Sequence, residues 1–171
     1  MMTTELHWLA GPWPARLAIS ARPRGGDWLE EEIGAWHRSG VGMIVSLLTL
    51  EEERELELAD EGSIARSLGM SFMSVPVEDR QVPASASEIV AAVERIQNAL
   101  HDGTSAVIHC RQGVGRAGLL ASCVLIGIGD APSAAMARVS EGRGIAVPET
   151  DAQRAWIEDY PAAMMGLIRA G

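Results

Sequence analysis

Cys110 and Arg116 stand five residues apart in the stretch 106–120, AVIHCRQGVGRAGLL. The stretch reads as a strand, a tight glycine-rich loop and a helix. Cys110 then falls at the C-terminal end of the strand, where open α/β sheets gather their ligand sites. Arg111, Gln112, Gly113, Val114 and Gly115 bring successive backbone N–H groups that can curl into a nest for an anion. Gly113 and Gly115 would supply the dihedral freedom this needs. The helix starting near Arg116 aims its positive end into the same loop. Such surroundings favour the thiolate, the nucleophilic form of cysteine. Arg116 offers a planar fork for two phosphate oxygens. The chemistry expected is in-line attack of sulfur on phosphorus, with loop amides and Arg116 stabilising the equatorial oxygens. The leaving oxygen needs a proton from a carboxylic acid on a facing loop. Asp79, 31 positions before Cys110, is the candidate acid, and Glu78 is the fallback. This mechanism calls for no metal or cofactor.

A second pattern overlaps the first. Residues 113–118, GVGRAG, also match the G-x-G-x-x-G fingerprint of dinucleotide sites. That fingerprint should lead to a second strand ending in an acidic residue about 20 positions on. The residues after Gly129 read as helix instead, and only 53 positions follow Gly118. The thiolate reading is preferred.

The elements that must position these groups alternate between strand and helix. Strands are expected at 6–9, 16–20, 41–47, 70–75 and 106–109. Helices are expected from Trp28 to about Arg38, with Asp27 as N-cap and Leu29, Ile33 and Trp36 inward, and from the charged stretch 51–58 to Gly69. Leu58, Ile64, Ala65 and Leu68 would be apolar contacts of that second helix. Ser87 is expected to cap a helix striped by Ile89, Val93, Ile96 and Leu100. Further helices run from near Arg116 to Gly129, from Pro132, and from a Thr150 or Asp151 cap. Alternation of this kind implies one α/β domain over residues 1–171, with a mostly parallel central sheet flanked by helices.

Composition narrows the function. The 171 residues are 47% hydrophobic and 22% charged, with a net charge of −9. A chain of this length can bury about 70% of its unfolded surface without a staple. The acidic balance argues against a nucleic-acid partner, which normally meets a basic face. All 14 basic residues are arginine, which excludes lysine-dependent nucleotide loops and Schiff bases. Cys110 and Cys123 suit neither a disulfide framework nor a zinc site, and Cys123 reads as core. No leader or membrane span is expected, and a cytoplasmic location follows from that reading.

His-Cys-x5-Arg resembles the signature of the cysteine-dependent protein tyrosine phosphatases, and most of all their small dual-specificity group of the kinase-associated type. Residues 75–83, VPVEDRQVP, resemble that family's general-acid loop. Residues 143–150, RGIAVPET, followed by Gln153, resemble its closing segment, and 22–28 has a similar look. The resemblance implies a phosphocysteine intermediate, Gln153 orienting the hydrolytic water, and phosphotyrosine in proteins as the default substrate. Phosphoserine, phosphothreonine or a small phosphomonoester is the wider range. Uncharged Gln112 and Val114 argue against heavily charged inositol lipids. His109 is expected to support the loop while pointing away from Cys110. Arg22 and Arg24 could line the mouth or lie on the surface, and Trp28 and Trp36 are expected in the core. One position departs from the family: Ala117 stands where Ser or Thr is usual. A phosphatase-like module that captures phosphoproteins with little turnover is the alternative.

Overall fold

Three short β-branched or apolar runs pair in parallel around the strand that carries the cysteine. In the computed structural model, which describes residues 3–170, the sheet order is β1-β2-β5-β3-β4. β2 (Leu17–Ser20), β5 (Ser105–His109), β3 (Val41–Ser46) and β4 (Ser71–Ser74) are parallel, and β1 (His7–Leu9) adds antiparallel to β2. β5 is central, and Ser20 and Ser46 pair with His109 at the shared C-terminal edge. Cys110 therefore leaves the sheet at its most supported point.

Both faces are covered, as parallel sheets require. Leu17, Ile19, Val45, Ala106 and Ile108 pack beneath α4 (Ala86–His101), α5 (Gly115–Gly127), α6 (Pro132–Arg143) and α7 (Asp151–Ala170). Ala18, Ile44 and Val107 pack beneath α1 (Leu29–Arg38) and α3 (Glu61–Ser67). α5 is almost wholly buried, and Cys123 is core as expected. No described helix is long and apolar enough to cross a membrane.

Five local expectations need correction. Asp27 caps nothing: it lies inside a 3₁₀ turn, Gly26–Trp28, entered through Gly26 at φ +60°. Trp28 is 46% exposed, stacked under the Arg24 guanidinium, whereas Trp36 is core. Ser87 does not cap α4, whose N-cap is Ser85. The segment 51–69 forms two helices, α2 (Leu50–Glu55) and α3. The break falls at Glu57, at φ +57°, where the chain turns so that its carbonyl accepts the Gly26 N–H at 3.0 Å. A tertiary contact overrides helical propensity there. Leu68 ends α3 exposed instead of buried.

Alternation along β5 sends His109 to the face opposite Cys110, against Trp36. There His109 Nε2 meets the buried Glu61 carboxylate at 2.6 and 3.0 Å, and Nδ1 lies 3.4 Å from the Cys110 carbonyl. Glu61→Ala would strand a buried ring nitrogen, a loss of about 1–3 kcal/mol. Urea unfolding should show it; an unchanged midpoint would mean the pair contributes nothing.

Candidate active site

The loop after β5 is shaped by one left-handed residue and one distant arginine. Gly113 has φ +72°, and a Cβ there would sit 2.4 Å from the Ser20 backbone. No other residue fits that conformation and that approach. Arg143, at the end of α6, donates through Nε to the Gly113 carbonyl at 3.0 Å and through Nη2 to the Gln112 carbonyl at 3.2 Å. With those carbonyls tied outward, the loop N–H groups are left to face the anion site. Gly115 is not left-handed. Its role is close approach: a Cβ would lie 2.9 Å from Gln153 and 3.0 Å from Glu149.

The pocket above this loop is lined by Asp79, Arg80, Cys110, Arg111, Gln112, Gly115, Arg116 and Glu149. The chain thus brings Cys110, Arg116 and Asp79 together from two segments. Cys110 is 3% exposed at the pocket floor. Gly113 and Val114 shape the loop without lining the pocket, and Val114 is the N-cap of α5. Arg22 and Arg24 stay outside, and Arg24 pairs with buried Glu32 at 2.8 Å.

Arg116 is 2% exposed, and its fork is held from behind by Glu52. Nη1 donates to Oε1 at 2.7 Å and Nη2 to Oε2 at 3.0 Å. Nη1 also donates to the Val77 carbonyl at 2.8 Å, and Nη2 to Asp79 Oδ1 at 3.0 Å. On the edge formed by Nε and Nη2, Asp79 holds the outer Nη2 hydrogen, so that edge can take two oxygens of an anion only once Asp79 lets go. Burial disfavours the guanidinium charge, but Glu52, Cys110 and Asp79 outweigh it and hold the pKa above its ordinary value.

Glu52 escaped the sequence reading, which took 51–58 only as a charged lead-in. It is the third residue of α2, in a capping box with Thr49: each side chain binds the other's backbone N–H, at 3.2 and 3.1 Å. Arg111 Nε also donates to it at 3.2 Å. Burial pushes the Glu52 carboxyl up, yet hydrogen bonds from Arg116, the Thr49 backbone and Arg111 bring it down to about 2. Thr49-x-x-Glu52 was the only local signal of this role.

Gln153 lies behind the pocket instead of in it. It is fully buried, and its Oε1 accepts from the Glu149 and Thr150 N–H groups at 3.1 and 3.2 Å. Its own N–H donates to Thr150 Oγ1 at 3.1 Å, so Thr150 is the cap of α7. Its Nε2 donates to the Gln81 carbonyl at 3.1 Å. Ala117 is fully buried, and no hydroxyl side chain lines the pocket among the described residues.

A carboxyl held below its free value adds stability only while ionised. The Glu52 contribution is complete above pH 4.5 and fades as pH falls towards 2. Glu52→Gln is therefore expected to destabilise by on the order of 3 kcal/mol at neutral pH, with the gap closing near pH 2. Denaturation of both proteins across that range measures it; a gap independent of pH would contradict the assignment.

Several solved structures share this fold. The structure of a kinase-associated phosphatase with its catalytic cysteine replaced by serine superposes at TM-score 0.86 and 17% identity, covering 96% of this chain and 98% of that one. Tk-PTP in its active form gives 0.76 and 22%, covering 92% and 96%. PTPMT1 gives 0.78 and 14%, covering 98% and 100%. At these identities the likeness shows the fold. No curated protein matches the chain by sequence. A family model described as "Swiss Army Knife protein, DSP-PTPase phosphatase domain" matches residues 4–158, most of the chain, which therefore belongs to this PTP-SAK family of dual-specificity-type phosphatase domains.

Proposed function

We propose that the protein hydrolyses phosphomonoesters through a phosphocysteine intermediate at Cys110. The observation that carries this reading is the Arg116 fork, fixed from behind by Glu52 and turned to the pocket whose floor is Cys110. Sγ attacks phosphorus as the ester P–O bond breaks, and Asp79 gives its proton to the leaving oxygen. Entry of the phosphate displaces Asp79 from Arg116 Nη2, which frees the acid to face that oxygen. Water then attacks phosphorus, Asp79 takes its proton, the S–P bond breaks, and inorganic phosphate leaves. Arg111 and Gln112 sit at the rim where the rest of the substrate passes.

Phosphotyrosine in a protein, the default drawn from the family resemblance, would bring an aromatic ring into this mouth. No aromatic side chain lines it among the described residues, so the reading stays at the phosphomonoester. A cytoplasmic setting belongs to the same expectation. The binding-module alternative draws on Ala117. A family member normally has a hydroxyl there to stabilise the departing thiolate, and among the described residues no other pocket side chain supplies one.

With para-nitrophenyl phosphate, a burst of one product per site followed by slow turnover is expected, and Cys110→Ser should abolish both. A preorganised donor is worth about 10²–10³ in rate, so Ala117→Ser should raise the steady state about tenfold or more. Equal turnover by Ala117→Ser and the native protein would remove the proposed defect. Tight phosphopeptide capture without any burst would favour the binding module. Asp79→Asn should lower kcat/KM by about 10²-fold or more with poor leaving groups, and a loss of kcat/KM uniform over all leaving groups would refute its acid role.

A further inference from the structure

The loop that carries Asp79 is tied down from two directions. On the inner side Arg116 holds the Val77 carbonyl and the Asp79 carboxylate, at 2.8 and 3.0 Å. On the outer side the ties run to the start of α7. Arg80 forms an ion pair with Glu149, and Gln153 Nε2 donates to the Gln81 carbonyl at 3.1 Å. These two contacts fall on the residues directly after Asp79. Arg80 stands at φ +62°, uncommon for a side chain of its size, and this turn accompanies its reach to Glu149.

Gln153 is built for that contact. Its Oε1 is occupied by the Glu149 and Thr150 N–H groups, so the amide nitrogen is the end left to meet the acid loop. Both outer ties rest on Gly115, the first residue of α5. A Cβ there would crowd Gln153 Oε1 at 2.9 Å and Glu149 Oε2 at 3.0 Å. The cradle for the anion and the anchor of the acid loop thus share one contact surface.

We propose that Gln153 and the Arg80–Glu149 pair form a latch that holds Asp79 over Cys110 and thereby governs protonation of the leaving group. They are positioning residues, and the proposal rests on Asp79 being the acid. An exposed ion pair shifts such an equilibrium by about two- to fivefold. A buried carboxamide bond shifts it by about tenfold.

The test is kcat/KM across a series of substituted phenyl phosphates, plotted against leaving-group pKa. Gln153→Glu keeps an acceptor for the Glu149 and Thr150 amides but sets an oxygen against the Gln81 carbonyl, so it unlatches the loop while sparing the helix cap. It should steepen the plot, losing about tenfold with the poorest leaving group and little with the best, whatever burial of the new carboxyl costs in thermal stability. Arg80→Glu and Glu149→Arg should each steepen it by about two- to fivefold at the poor end, and the two together should restore it. An equal loss across the series, or native slopes in all three single variants beside an impaired Asp79→Asn, would overturn the latch. A native slope in Asp79→Asn itself would remove the acid assignment, and the latch with it, which is a separate failure.

Discussion

A guanidinium buried to 2% exposure survives only because a carboxylate is buried with it. Breaking such a pair by removing one member leaves an uncompensated charge in the interior. Glu52 meets the back edge of Arg116 with both oxygens, and the first turn of α2 holds Glu52 through its capping box. Orientation is what this gains. A fork gripped on one edge by two hydrogen bonds cannot swing freely beside the cysteine loop. Arg111 draws on the same carboxylate, and Arg116 reaches on to the acid loop, so three segments converge on a single side chain.

The sheet provides the reference frame for that convergence. β5 has a neighbour on each side, and one step along the strand divides its end between two jobs. Cys110 turns to the face of α4 to α7, and His109 turns to the other, where Glu61 and Trp36 enclose it. The loop between strand and helix is then clasped from outside by Arg143. An anion nest usually needs its carbonyls satisfied elsewhere so that its amides can converge, and here a side chain from the end of α6 does this.

What could be read from the sequence was local. The strand, the loop, Cys110, Arg116 and the helix after them lie within fifteen residues, and their order is imposed by period and glycine. Asp79 is nominated as the acid by loop context, spacing and the family resemblance, and the structure brings it to the pocket. Glu52, Glu61 and Arg143 were missed because their partners lie 64, 48 and 30 positions away. In sequence, Glu51-Glu52-Glu53 looks like a solvated face, and only the Thr49-x-x-Glu52 capping-box spacing sets the middle one apart. Gln153 was placed at the site by resemblance, whereas its neighbours hold it behind the pocket. The break between α2 and α3 was hidden for a similar reason: the left-handed turn at Glu57 answers to Gly26, on the far side of α1.

Every cation around the pocket, Arg80, Arg111, Arg116 and the clasping Arg143, is a guanidinium, in a chain without lysine. Guanidinium groups stay protonated through any alkalinity the fold can survive. The positive charge those four side chains carry is therefore permanent. Acylating or carbamylating reagents that consume primary amines leave it untouched, and so does any cellular acetyl- or ubiquitin-transfer chemistry aimed at lysine side chains.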